Sequence, residues 1–175
     1  MSTGSDFMDE ARREFSGQGP KLAGGTVRIG VVVALWNRDI TLALESGCRQ
    51  TLEDAGLASS RILVHSVPGC FEIPLACRWM HEHQKVQAVV ALGCLIQGET
   101  PHFEYLSQSV TQALMDLGLQ TGIPMINGVL TVLDQAQAQA RTGGAHGHKG
   151  EEAALAALKM LDLQATLQRE LPSGR

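Results

Sequence analysis

The sequence predicts an α/β protein in which a four-stranded parallel sheet is covered by helices on both faces. Four short runs rich in Val, Ile and Leu alternate with longer segments of helical composition, and this order favours parallel strands joined by right-handed crossovers. The first run, residues 27–35, is almost continuously apolar, as is typical of a strand buried on both faces. Only 4% of the residues are aromatic, so aliphatic side chains must build the core.

The first half of the domain supplies two strands, each followed by a helix. After the strand at 27–35, residues 38–56 have a helical composition and end at a glycine. Residues 62–67 form the second predicted strand, which a Pro-Gly pair ends. A helix is predicted over 71–84, and Pro74 must lie in its first turn, where proline is tolerated.

The third strand precedes the clearest helix start in the chain. The apolar run 86–92 is predicted to end at Gly93. The next helix is predicted over 101–118, with Thr100 as its cap and Pro101 in its first position. Its buried stripe is predicted to contain Leu106, Val110, Leu114 and Leu117.

The last part of the domain contains one strand and two helices. Residues 124–132 form the strand, with a break predicted at the Asn-Gly pair 127–128. The segments 133–141 and 150–171 are rich in Ala, Gln and Leu, which favours helices. The core face of the last helix is predicted to contain Ala154, Leu158, Leu161 and Ala165.

Length and charge bound the organisation and the partners. The 175 residues suit one domain, predicted over 27–171, with a short tail at 172–175. Residues 1–26 show no pattern and are predicted to be an arm that is flexible or packs on a neighbour. A net charge of -4 argues against nucleic-acid binding through a basic face. The chain lacks a long apolar stretch and a secretory signal pattern, so we expect no membrane partner and a cytoplasmic location.

The cysteines are predicted to be small apolar core residues. No two of them have the spacing of a metal site, and a reducing cytoplasm keeps thiols free. Residues two apart point to different faces of a helix, so His81 and His83 are a weak ligand pair, and neither this pair nor His146/His148 forms a complete ligand set; we expect no metal. The four cysteines are Cys48, Cys70, Cys77 and Cys94.

Candidate anion-binding groups follow the third and fourth strands, at the sheet edge where parallel sheets bind ligands. The helix start at 98–102 offers free N–H groups and the positive end of a dipole to a phosphate, although an ordinary capped helix explains the segment equally well. His102 is expected to be neutral there and able to accept a proton, or it is a surface histidine. Arg141 and Lys149 flank a glycine-rich loop, which either brings mobile cations to a phosphate or is simply solvated.

Two aromatic residues at strand ends suit a flat ligand. Trp36 and Asn37 follow the first strand, where the ring could stack on a heterocycle and the amide could bond its edge; a core tryptophan is the alternative. Phe71 and Glu72 follow the second strand and offer a second ring and a carboxylate for ligand hydroxyls. A glutamate is, however, also common at the start of any helix.

Taken in order, these segments resemble the 6,7-dimethyl-8-ribityllumazine synthase family over roughly residues 27–165. One such string would be weak evidence, but an ordered set of five is strong. The matching strings are RIGVVVALWN at 28–37, VPGCFEIP at 67–74, ALGCLIQGETPHFEY at 91–105, GVLT at 128–131 and KG at 149–150.

The resemblance implies a flavodoxin-like three-layer sandwich and the penultimate step of riboflavin biosynthesis. In that reaction 5-amino-6-(D-ribitylamino)uracil condenses with 3,4-dihydroxy-2-butanone 4-phosphate to give 6,7-dimethyl-8-ribityllumazine, phosphate and water. No cofactor and no metal are implied.

The resemblance also assigns roles to individual positions. His102 matches the proton-transfer histidine of the family, and Arg141 matches the phosphate-binding arginine that a neighbouring subunit contributes. Gly98, Glu99 and Thr100 are implied to line the phosphate pocket. The implied substrate-binding residues are Trp36, Asn37, Gly69, Cys70, Phe71, Glu72, Cys94, Leu95, Ile96 and Asn127.

Four positions depart from the pattern of many family members. Asn127 stands where many carry Phe, so one stacking face supplied by the neighbouring subunit is expected to be absent. Gln97 replaces an arginine near the phosphate pocket, and Ala145 and His148 replace a lysine and an asparagine in the loop after Arg141. We expect these changes to alter affinity and to leave the reaction class intact.

The resemblance implies a homopentamer with each active site between adjacent subunits, and a functional link to riboflavin synthase. The loop from Arg141 to Lys149 carries no insertion, which favours the members that assemble twelve pentamers into a 60-subunit shell. Two other functions stay open. A flavin-binding or lumazine-binding storage homologue would explain Asn127 and Ala145, whereas a riboflavin synthase of similar fold is disfavoured by the anion site.

Overall fold

The sheet has the parallel architecture that the sequence predicts. A computed structural model describes residues 4–15 and 27–170, so the predicted tail at 172–175 lies outside the described residues. Four parallel strands form one sheet in the order β2-β1-β3-β4. They are β1 (Ile29–Ala34), β2 (Ile62–Val67), β3 (Ala88–Ile96) and β4 (Met125–Val132).

Helices follow each strand, and a short antiparallel hairpin joins the last two helices. None of the described helices combines the length and the apolar character that crossing a bilayer requires. The helices are α1 (Gly4–Phe15), α2 (Arg38–Asp54), α3 (Ile73–Gln84), α4 (His102–Thr121), α5 (Gln135–Gln139) and α6 (Lys149–Glu170). The hairpin consists of β5 (Thr142–Gly144) and β6 (Gly147–His148).

The sheet separates two apolar cores, which confirms the three-layer arrangement. Alternate side chains of β1 enter different cores, as the period of two of a strand requires. Val31 and Val33 pack with residues of α2 and α6, whereas Val32 packs with residues of α3 and α4. The predicted core face of α6 is confirmed, because Ala154, Leu158, Leu161 and Ala165 are all fully buried.

Two strands run through glycines at which the sequence predicts an end or a break. β3 continues past Gly93, which pairs with Val129 of β4. β4 is likewise unbroken at Gly128, where a Cβ would lie 2.7 Å from Leu92 Cδ2. In both strands glycine provides space for a close neighbour and does not turn the chain.

The start of α4 differs from the prediction by one residue. Pro101 is the capping residue and His102 is the first helical residue, so the prediction that Thr100 caps the helix is wrong. The first hydrogen bond of the helix runs from Tyr105 N to Pro101 O, at 3.3 Å. The predicted stripe is confirmed, since Val110, Leu114 and Leu117 are buried and Leu106 packs against the same core.

A helix lies in the segment that is predicted from the sequence to be an unpatterned arm. α1 packs on α6, and Ala11 and Phe15 are buried there. Ion pairs join Arg12 to Glu151 and Glu14 to Lys159. The described part of the arm thus packs on its own chain through a buried stripe too short to show a period in the sequence; residues 1–3 and 16–26 lie outside the described residues.

Candidate active site

The carboxyl ends of β1 and β2 bring two aromatic rings to one edge of the sheet. A hydrogen bond from Leu35 N to Val67 O, at 2.8 Å, joins the two strand ends. A Cβ placed on Gly69 would lie 3.4 Å from Trp36 Cδ1, so the indole packs beside this turn. Trp36 is 72% exposed and Phe71 is 71% exposed. Trp36 is therefore not a core residue, and both rings are open to a ligand or a partner.

Asn37 ties the end of β1 to the end of β3. Its backbone is left-handed, with φ 55° and ψ 47°, a conformation that asparagine tolerates better than most residues. The side-chain Nδ2 donates to the backbone oxygen of Cys94 at 2.9 Å. The backbone oxygen of Asn37 accepts from Ile40 N and starts α2. Asn37 thus fixes the spacing of two strand ends beside Trp36.

Glu72 closes the turn that carries Phe71. Its Oε2 accepts a hydrogen bond from Gly69 N at 2.9 Å, across the short 3-10 helix Cys70–Glu72. This contact gives the carboxylate a local structural role, as the alternative interpretation proposes. Oε1 takes part in none of the hydrogen bonds of the described residues, so a contact with ligand hydroxyls stays a prediction.

Two buried thiols lie beneath this edge. Burial raises the pKa of Cys70 and of Cys94 to about 11, so both thiols are protonated at neutral pH and neither is a nucleophile. The Sγ of Cys70 fills the space above Gly93, where a Cβ would lie only 2.6 Å away. Sequence reasoning missed Gly93 as a site residue, because it interpreted the glycine as the end of the strand. All four cysteines are free and buried, as predicted.

Leu95 and Ile96 end β3 with their side chains in opposite cores. Because both side chains are engaged there, the sheet edge at this point consists largely of backbone. The ladder continues one step further, since Gln97 N donates to Val132 O at 2.9 Å. This arrangement suits the implied backbone contacts to a ring edge.

The loop after β3 leads an exposed histidine to the start of a long helix. Gly98, Glu99 and Thr100 are exposed, and a Cβ on Gly98 would meet nothing within 4 Å. His102 is the first residue of α4 and is exposed. Because the first bond of the helix is donated by Tyr105, the backbone N–H groups of the preceding turn have no partner within α4. The segment therefore has the free donors that an anion requires.

In the described part of the chain, the side chains of Asn127 and Arg141 form their hydrogen bonds with residues outside the loop after β3. Asn127 pairs with Ala91, three residues before Cys94, and hence lies roughly 10 Å further down the sheet. Its Oδ1 accepts from the nearby Val129 N, at 3.1 Å. Arg141 follows α5, and its Nη1 donates to Gln137 O at 2.9 Å. Across the described ranges, no hydrogen bond joins Arg141 to the loop after β3.

Comparisons with known proteins identify the family of the chain. The family model described as 6,7-dimethyl-8-ribityllumazine synthase matches residues 26–165. A 6,7-dimethyl-8-ribityllumazine synthase from Porphyromonas gingivalis is 45% identical over 141 residues, which are 81% of this chain and 88% of that protein. One from Xanthomonas campestris pv. campestris is 44% identical over 142 residues, 81% of this chain and 92% of that protein. One from Parabacteroides distasonis is 42% identical over 139 residues, which are 79% of this chain and 87% of that protein. Because the family model spans all four strands of the sheet and these relatives are 42% to 45% identical to the chain, the chain belongs to the 6,7-dimethyl-8-ribityllumazine synthase family.

Proposed function

We propose that the chain condenses its two substrates at the sheet edge formed by Trp36, Phe71 and His102. Family membership makes the chain a transferase that joins 5-amino-6-(D-ribitylamino)uracil to 3,4-dihydroxy-2-butanone 4-phosphate in riboflavin biosynthesis. The observation that supports the placement is that two exposed rings and an exposed helix-start histidine follow the carboxyl ends of three neighbouring strands, β1, β2 and β3. Binding both reactants in one place removes much of the entropic barrier to their condensation.

The pyrimidine is proposed to bind between the ends of β1 and β3. Trp36 stacks on the flat ring, and backbone groups from Cys94 to Ile96 meet the polar ring edge. The second oxygen of Glu72 accepts from a hydroxyl of the ribityl chain. The fixed turn at Gly69 supports this role, because it already orients the carboxylate through Oε2.

The chemistry requires one proton acceptor and one charge stabiliser. The 5-amino group attacks the ketone and water leaves, which gives an imine. His102 then accepts the carbon-bound proton whose loss expels phosphate, and the free N–H groups at the start of α4 stabilise the charge on the departing phosphate. The elimination leaves an enol, which takes up a proton at its terminal carbon and loses its hydroxyl proton to become a carbonyl. Attack by the ribitylamino nitrogen on this new carbonyl closes the ring, and water leaves again. Glu99 must point away from the phosphate throughout, which its exposed position permits.

We propose further that a second subunit completes the site, in a homopentamer that can assemble into a 60-subunit shell. Asn127 lies roughly 10 Å down the sheet from Cys94, and Arg141 forms no hydrogen bond to the loop after β3 among the described residues; both observations support a role at a neighbour's site in this assembly. β4 is an edge strand of the sheet. An apolar groove between α4 and α6, lined by Met115, Leu119 and Leu163 among others, supports burial against another subunit.

The proposed setting is the cytoplasm, with the lumazine product consumed by riboflavin synthase. Free buried thiols at Cys48, Cys70, Cys77 and Cys94 suit a reducing compartment. The reaction itself requires that another enzyme consume a lumazine if flavin is to be formed.

The experiment that tests this function is turnover of purified protein, followed by the absorbance of the lumazine. We expect His102→Ala to lower kcat by roughly 10²- to 10⁴-fold, the usual contribution of a positioned proton acceptor. His83→Ala is the matched control, because His83 is an exposed histidine at the end of α3, away from the strand ends, and should leave kcat unchanged.

Two results would contradict the proposal. A His102→Ala variant with the wild-type rate would remove the proton-transfer role. A wild-type protein that binds flavin but forms no lumazine from both substrates would point to the storage homologue.

A further inference from the structure

The hairpin after Arg141 contacts α2, α5 and α6, and its two ends meet at a joint formed by Ala140, Arg141, His148 and Lys149. Its strands pair Thr142 with His148, and Lys149 N donates to Arg141 O at 2.9 Å. His146 N donates to Ala140 O, also at 2.9 Å. The backbone position of Arg141 is therefore coupled directly to the segment that starts α6.

His148 is the side chain that holds this joint. It immediately precedes α6, and its Nδ1 accepts a hydrogen bond from Glu151 N at 3.4 Å, which is the geometry of a helix N-cap. Its ring lies directly on Gly47 of α2, where a Cβ would be 2.2 Å from Cε1. One imidazole of the hairpin thus contacts both α6 and α2.

We propose that His148 is a positioning residue for phosphate binding, acting through the hairpin and Arg141. The inference rests on the proposed role of Arg141 as the phosphate ligand. His148 does not touch substrate in this proposal. Its cap and its packing on Gly47 hold the backbone of Arg141 in place, so that the guanidinium is presented to the neighbouring site in one orientation.

Sequence reasoning places His148 only as a departure in the loop and, with His146, as half of a poor metal pair. The signal that could have identified it is its position directly before Lys149 and an Ala-rich helix, where a polar side chain caps the first turn. An asparagine has an acceptor oxygen of similar reach and caps helices well, so it can replace the imidazole Nδ1.

The test measures steady-state kinetics of the full-length assembled protein. We expect His148→Ala to raise KM for the butanone phosphate roughly 10-fold to 100-fold, the order of effect of a misplaced binding group, with a much smaller change in kcat. His148→Asn should return KM close to the wild-type value. His146→Ala is the matched control, because His146 is an exposed histidine of the same hairpin, and should not change KM.

A second variant reaches the joint from the opposite helix. Gly47→Ala places a methyl group where the His148 ring lies and should raise KM as His148→Ala does, even if the latter does not fold. Wild-type KM in both variants overturns the proposal. So does an equal defect in His148→Asn and His148→Ala, since the cap then plays no part.

Tryptic cleavage after Arg141 separates this inference from the proposed function. His148→Ala should accelerate that cleavage, and His148→Asn should not. If Arg141→Met leaves KM unchanged while cleavage follows this pattern, Arg141 does not bind the phosphate, but His148 still anchors the hairpin. If cleavage is equally fast in all variants, His148 does not anchor the hairpin, whatever the effect of Arg141→Met on KM.

Discussion

At the scale of single residues, the site depends on a side chain that is absent. Gly93 lies in the middle of the β3–β4 ladder, and the Cys70 thiol occupies the position of its missing Cβ. The turn that carries Phe71 and Glu72 can therefore settle close to the sheet. Asn37 holds the other side of the edge through its bond to the Cys94 carbonyl. The positions of the exposed rings thus follow from a buried glycine, a buried thiol and one asparagine with a left-handed backbone.

The buried thiols should make the free energy of unfolding decrease as the pH becomes alkaline. Burial, aided by the charge of Glu45, raises the pKa of Cys48 from 9.0 to about 12, and burial raises the pKa of Cys77 to about 12 as well. Because the unfolded thiols ionise first as pH rises through 9, they favour unfolding, and stability is lost between about pH 9 and pH 12. Each thiol contributes a slope of at most about 1.4 kcal/mol per pH unit.

We therefore expect the urea midpoint of the wild type to fall between pH 8 and pH 10.5. In Cys48→Ala the fall should be shallower, because one thiol no longer ionises on unfolding. The comparison uses slopes against pH, since the substitution also changes stability at neutral pH. Equal slopes for the two proteins would rule out this assignment.

At the scale of elements, α2 and α6 cross at unusually short range. A Cβ on Gly150 would lie 2.1 Å from the backbone oxygen of Leu44, so only glycine permits this crossing. The same two helices hold the His148 ring beside Gly47. Helix packing and the anchoring of the hairpin thus depend on one contact region.

Two helical glycines give a matched test of this crossing. Gly150→Ala should lower the free energy of unfolding by about 1–3 kcal/mol or more, because the helices must separate. Gly118→Ala should raise it by up to about 1 kcal/mol, because alanine favours the helix. The nearest atoms to a Cβ there are 3.6 Å away, an ordinary contact. Denaturant unfolding measures both, and a change of the same sign in both variants would contradict the argument.

The sequence predicts elements well where a period continues over many residues. The stripe from Val110 to Leu117 and the core face of α6 are confirmed for that reason. Prediction from the sequence fails where a contact with a residue distant in the chain determines the local structure. Gly93 and Gly128 resemble strand ends, but they lie inside strands because side chains remote in sequence occupy their open space. The helix at Gly4–Phe15 and the hairpin after Arg141 likewise depend on α6.

The site shows the same division between local and distant information. Trp36, Phe71 and His102 follow strands, so the parallel topology alone predicts that they meet at one edge. The cap made by His148 is not predicted in this way, because its partner surface at Gly47 lies about a hundred residues earlier in the chain. A single sequence carries no direct sign of that contact.

At the scale of the whole molecule, the apolar groove between α4 and α6 predicts the effect of a surface charge on assembly. Leu119 lines this groove and is 80% exposed, so its replacement should not disturb the subunit fold. We expect Leu119→Arg to reduce the particle mass measured by light scattering, because burying an unpaired charge is costly.

Gln120→Arg is the control for this variant. It adds the same charge at the next residue, which lies outside the groove and is also exposed. Its mass should equal that of the wild type. An unchanged mass in Leu119→Arg would show that the groove is not buried between subunits.

The strand order has a consequence for how ligand binding and folding are linked. β1 pairs on both sides, with β2 and with β3, while β4 joins only at the edge. Trp36, Phe71 and His102 each follow a different strand. A ligand that touches all three residues therefore binds only a chain in which β1, β2 and β3 are paired. Saturating ligand at a hundredfold excess over Kd then adds about 2.7 kcal/mol to the stability of the whole sheet. A substrate bound as proposed would thus connect three strands, and its binding would report that the sheet has formed.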